Sequence, residues 1–106
     1  MVPGTICNTG PVAVIETMTF ELLAGIDADD YVAFDARIQG EFSHLQPGIV
    51  RRTLARDGDT WLVESWWHSV DDATSAVDQF AAHELFAQFA SMVDQQSILV
   101  SRYETT

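Results

Sequence analysis

The sequence contains no lysine. Its five basic residues are all arginine, and they stand against 16 acids for a formal charge of −11. A chain so short of cations repels phosphate backbones and anionic lipid surfaces, because affinity for both rests on lysine and arginine. Nucleic-acid and membrane partners are therefore excluded. The acids are spread along the chain rather than run together, which reads as a solubilising surface. There is one cysteine, Cys7, so no intrachain disulfide can form, and a reducing, cytoplasmic setting is expected. No apolar run approaches the ~20 residues needed to cross a bilayer. Residues 1–11 lack the basic and apolar regions of a signal peptide and read as a loose arm around Pro3, Gly4, Gly10 and Pro11. The sequence also has no phosphate-binding glycine loop, no Gly-x-Ser-x-Gly elbow and no histidine pair at helical spacing. No cofactor and no metal site are expected.

What the chain does have is apolar side chains, 47% of 106 residues, enough for one compact domain over residues 12–106. Its most informative feature is a pair of adjacent tryptophans, Trp66 and Trp67, inside an apparent strand, Thr60 to His68. Neighbouring side chains on a strand point to opposite faces of the sheet. Each ring therefore needs cover on its own side. The chain's helices can cover one face, and a second copy of the chain is the simplest cover for the other.

Alternation makes Val12 to Leu23 a first strand, with Val12, Val14, Glu16, Met18, Phe20 and Leu22 on one face. Asp27 is a good N-cap, with Asp29 and Asp30 in the first turn. Tyr31, Phe34, Ile38, Phe42 and Leu45 then recur at helical spacing, which predicts a helix over residues 28–46, ended by Pro47-Gly48. Ile49 to Arg56 is a second strand, joined through the turn residues Asp57-Gly58-Asp59 to the third. Loop lengths of two or four residues place Arg51 opposite Glu64, and three residues place Arg52 there. Ser69 caps a further helical stretch. The stripe of Ala73, Ala76, Val77 and Phe80 and the stripe of Leu85, Phe86, Phe89, Met92 and Val93 are out of phase by about half a turn. A break is therefore expected near Ala82-His83-Glu84. Ser97 to Glu104 is a last strand. The order β-α-β-β-α-β is the α+β, ferredoxin-like arrangement: a four-stranded antiparallel sheet with helices on one face.

Several segments carry a family likeness: Trp66-Trp67-His68-Ser69-Val70-Asp71-Asp72-Ala73, His83-Glu84-Leu85-Phe86-Ala87-Gln88-Phe89, and Gln46-Pro47-Gly48-Ile49-Val50-Arg51-Arg52. With the order of elements, they resemble the dimeric α/β-barrel proteins related to antibiotic biosynthesis monooxygenases. The resemblance covers about residues 12–104 and implies a homodimer whose two sheets close into a barrel. The superfamily includes cofactor-independent oxygenases of phenolic polycyclic substrates, haem-degrading enzymes and lactone isomerases, so the fold alone does not name a reaction. Haem-degrading members carry an Asn in the first strand, where this chain has Glu16-Thr17-Met18. The resemblance implies a small, flat hydrophobic or aromatic ligand and a cofactor-independent monooxygenase. The alternative is a non-catalytic ligand-binding or structural dimer.

Glu16 sits in an otherwise apolar strand face and must be paired or protonated there. It is either a general base for a phenol or the partner of Arg51, Arg52 or Arg102. His83, at the expected helix break, is either a second proton carrier or a capping residue. Arg51 and Glu64 are candidates for the polar floor of a substrate pocket, or for a cross-strand ion pair at a dimer seam. Trp66 or Trp67 would stack on the ligand ring, or simply fill the core.

Overall fold

The computed structural model describes residues 12–106. The expected arm over residues 1–11 lies outside them. Four strands, β1 (Val14–Phe20), β2 (Ile49–Asp57), β3 (Thr60–Trp67) and β4 (Leu99–Glu104), form one antiparallel sheet in the order β2-β3-β1-β4. Three helices, α1 (Ala28–Glu41), α2 (Val70–Ala81) and α3 (Leu85–Met92), complete the ferredoxin-like fold.

The first helix starts as the sequence dictates. The Asp27 carboxylate accepts the Asp30 N–H at 3.2 Å, and Asp29 and Asp30 lie at the positive end of the helix dipole. The helix ends earlier than the apolar stripe. Phe42 leaves helical geometry, a short 3₁₀ turn follows at Ser43–Leu45, and Leu45 is 68% exposed. Pro47 holds the residue before it, Gln46, in extended backbone (φ −78°, ψ 134°), so helical geometry cannot pass beyond this turn. Gly48 then takes φ +81°, and a Cβ there would overlap the Asp72 side chain, so only glycine lets the start of β2 approach α2.

The β2–β3 hairpin turns through two residues, Gly58 and Asp59, with Gly58 at φ +61°. Asp57 remains in the ladder opposite Thr60. This sets Thr53 opposite Glu64, Arg52 opposite Ser65 and Arg51 opposite Trp66. Neither arginine is the direct partner of Glu64, contrary to both registers expected from the sequence, because the turn begins one residue later than those registers assumed.

Ser69 caps α2 by accepting the Asp72 N–H at 3.0 Å. The helical region breaks over residues 82–84, as the phase shift between its two apolar stripes requires. β1 and β4 are shorter than their alternation suggested. Leu22 makes only an isolated bridge to Val93, and Ser97 closes a 3₁₀ turn rather than opening a strand.

The core lies between the helices and one sheet face. Phe20, Tyr31, Phe34, Ile38, Trp61, Val63, Leu85 and Phe89 form its larger part. Their rings meet edge-on, as between Phe20 and Tyr31 at 5.4 Å and between Tyr31 and Trp61 at 5.2 Å. A second cluster packs Trp67 and Val14 under Ala73 and Ala76 of α2, whose small side chains admit the indole. The tryptophan pair does face both ways. Trp67 is buried under α2, whereas Trp66 is half-buried on the opposite face beside Ile15 of β1. On that opposite face, Leu99 and Tyr103 of β4 are 70% and 58% exposed.

Candidate functional site

Between the helices and the inner sheet face lies a cavity of about 460 Å³. Met18, Val63, Ile38, Phe42, Phe80, Phe86 and Phe89 supply most of its wall. Alternation along the strands decides which polar groups join them. Glu16, Ser65, Arg52 and Arg102 share the inward parity of Trp67, so all five line the cavity, with Ser43 from the turn after α1.

Two ion pairs border this space. In the first, the Arg102 Nε–H donates to Glu16 Oε2 at 2.7 Å, while a terminal nitrogen of Arg102 donates to Thr74 Oγ1 at 2.9 Å. This pair lies toward the β4 edge, with side-chain exposures of 32% and 13% for Arg102 and Glu16. In the second, both terminal nitrogens of Arg52 donate to the two Asp35 oxygens, at 2.8 and 2.7 Å. Here the side chains are 7% and 5% exposed. The Tyr31 hydroxyl donates to the same carboxylate at 3.3 Å. Burial, and then the adjacent Asp35 charge, push the Tyr31 phenol well above the usual tyrosine range, with Arg52 acting the other way. Tyr31 therefore stays a neutral donor.

Asp35 escaped the reading of the sequence, although a signal was present. It falls one turn after Tyr31 and three residues before Ile38, inside the apolar stripe of α1. The argument that singled out Glu16, an acid among inward apolar residues, applies equally to Asp35.

The other candidates are placed elsewhere. Arg51, Glu64 and Trp66 share the opposite sheet face and do not meet the cavity. There the Trp66 indole N–H donates to Glu64 Oε1 at 2.8 Å, and the Arg51 guanidinium lies 5.2 Å from the Trp66 ring centre. His83 is at the α2–α3 corner. Its Nδ1 accepts the Leu85 N–H at 3.1 Å, and its ring meets Phe42 edge-on at 5.2 Å. It is not among the residues lining the cavity. Of the residues singled out from the sequence, the structure brings Glu16 and Trp67 together at this site. The Trp67 indole N–H is buried without a hydrogen-bond partner among the described residues. No cluster of three or more His, Cys, Asp or Glu able to hold a metal occurs among the described residues, and none of their helices is long and apolar enough to cross a membrane.

No family model matches the sequence, and no curated protein matches it. Solved structures do. SnoaB, a cofactor-independent oxygenase from Streptomyces nogalater, superposes with a TM-score of 0.73 at 17% identity, over 91% of this chain and 95% of that one. A Chloroflexus aurantiacus protein, provisionally assigned as an antibiotic biosynthesis monooxygenase, gives 0.67 at 11% identity over 89% and 94%. A dimeric ferredoxin-like protein from an uncultured marine organism gives 0.65 at 11% identity over 93% and 92%. The chain shares the ferredoxin-like fold of these proteins. Identities this low establish the fold and no activity.

Proposed function

We propose that this protein is a homodimer that binds a flat, largely apolar small molecule in the cavity between sheet and helices, and that it oxygenates a phenolic or polycyclic substrate without a cofactor. The observation that carries the reading is the cavity itself: a mainly aromatic and aliphatic wall in which Glu16 is the single carboxylate among the lining residues. In chemistry of this kind the substrate supplies the electrons for dioxygen once a phenol has lost its proton. Glu16 is placed to accept that proton, since its bond to Arg102 engages only Oε2. Trp67 offers a flat wall for the ring. The role of base is assigned to Glu16 rather than His83, whose Nδ1 is committed to capping α3. SnoaB, described as a cofactor-independent oxygenase, supports the choice of reaction class.

A panel of quinols and polycyclic phenols, followed by oxygen uptake, tests the activity. Glu16→Gln is expected to lower turnover of an accepted substrate by about two orders of magnitude, the usual contribution of a positioned base. Unchanged turnover would reject the assignment. A non-catalytic binder is the second reading, and the Glu16–Arg102 pair is the observation that favours it, because the pair already gives that carboxylate a structural partner. The dimer is supported by the outer sheet face, where Trp66 is only half-covered and Leu99 and Tyr103 stand in solvent. Light scattering at micromolar concentration should give twice the chain mass, and a monomer would overturn the dimer.

A further inference from the structure

We propose that Arg52 seats an ionised oxygen of the ligand, so that the molecule taken by the cavity is an aromatic amphiphile carrying one anionic group, such as a phenolate, enolate, carboxylate or sulfonate. The inference rests on the cavity reading above and adds the chemistry of the ligand's polar end. Among the lining residues two arginines stand against one carboxylate. Glu16 answers Arg102 within the cavity, whereas Asp35, which answers Arg52, is not among the lining residues, so no carboxylate of the lining meets the remaining N–H groups of Arg52.

Arg52 is the stronger anchor of the two. Its side chain is 7% exposed, so water screens its charge little, whereas Arg102 is 32% exposed and already divided between Glu16 and Thr74. Asp35 takes one hydrogen bond from each terminal nitrogen of Arg52. A guanidinium has five N–H donors, so three remain for other acceptors. Asp35 thus acts as a positioning residue. It fixes the plane of the fork from the α1 side, and the Tyr31 hydroxyl shares the carboxylate's charge. The neutral donors of the cavity fit the same ligand. Ser65 is the direct cross-strand partner of Arg52, and Ser43 and Ser65 are both buried and lining. The Trp67 N–H has no partner among the described residues. An anionic oxygen is matched to these groups, and the indole N–H and the guanidinium, which only donate, have nothing to offer a ligand cation.

Anilinonaphthalene sulfonate and its uncharged relative phenylnaphthylamine test the proposal by fluorescence titration of the full chain. The wild type is expected to hold the sulfonate about tenfold more tightly, the size of one charged hydrogen bond. In Arg52→Gln/Asp35→Asn, which removes the cation without leaving a buried carboxylate unpaired, that preference should vanish while the neutral probe binds as before. Arg51→Gln, on the opposite sheet face, should keep the preference. Equal weakening of both probes in the double variant, or an undiminished preference, overturns the anion seat. Neutral binding by the wild type with no gain for the sulfonate rejects the seat and leaves the cavity reading standing. Failure of both probes to bind the wild type rejects the cavity reading too. A measurement on the wild type guards against a variant that does not fold. The Arg52 Nε–H resonance should move with the sulfonate and stay still with the neutral probe, and movement with neither or with both overturns the proposal.

Discussion

Arg51 and Arg52 are consecutive residues of one strand, yet they lie in different solvents. Arg52 points inward, nearly dry, gripped by Asp35 and facing the cavity. Arg51 points outward to the open sheet face, exposed, lying over the half-buried ring of Trp66. Trp67 and Trp66 repeat the contrast one strand away. The difference shows how much of a side chain's energetic role comes from strand parity rather than from its chemistry. The same guanidinium is a structural keystone on one face and an adjustable surface cation on the other.

Substitutions on the two faces should therefore diverge. The largest effect is expected from Asp35→Ala, which strands Arg52 as an uncompensated buried charge and should cost about 3–5 kcal/mol in denaturant unfolding. Replacing both partners together, as Asp35→Leu/Arg52→Met, should recover most of that loss, because an apolar pair removes the desolvation penalty as well as the attraction. A double variant as unstable as the single one would show that the fork contributes more than charge compensation. Trp67→Ala should cost a similar ~3–5 kcal/mol by leaving a cavity beneath α2. Trp66→Ala should affect the folded chain much less, and light scattering should register its effect as weaker self-association. If the two tryptophans prove equivalent in unfolding, the comparison between faces fails.

Smaller effects sharpen the comparison. Tyr31→Phe should lower stability by about 1 kcal/mol, the net value of one hydrogen bond. It also has a pH signature. The folded state holds the Tyr31 phenol above its ordinary value, so the unfolded chain loses that proton first. The contribution is complete below pH about 10 and is lost as pH rises beyond it. Urea midpoints measured across that range should fall more steeply for the wild type than for Tyr31→Phe. Smallest of all, Arg51→Gln should change stability by less than about 1 kcal/mol, the scale of an exposed cation–π contact.

Much of this contrast was legible in the sequence. The β-α-β-β-α-β order, the opposed tryptophans, the caps at Asp27 and Ser69 and the break at residues 82–84 all follow from local periodicity and local hydrogen bonding, which the chain encodes over a few residues. What escaped it depends on relations between segments. What stands opposite Glu64 turns on where a two-residue loop begins, a difference of one residue, and which arginine faces inward turns on whether that loop has an even or odd number of residues. Leu45 continued the helical stripe, but the helix stops at Glu41 and the 3₁₀ turn that follows leaves Leu45 in solvent. Asp35 carried the same local signal as Glu16, an acid within an apolar stripe; its partner, on another element 17 residues along the chain, did not.

The Gly58-Asp59 turn bears on how the chain finds its native frame. Slipping β2 by one residue against β3 in the direction that brings Arg51 opposite Ser65 would turn Arg51 inward and Arg52 outward, with a guanidinium again in the place that faces Asp35. The tandem arginines therefore make the buried ion pair nearly blind to a slip in that direction. Discrimination against it falls to Leu54, which packs on the core in the native frame and would yield its place to Thr53 in the slipped one, and to the turn, which sets the frame locally.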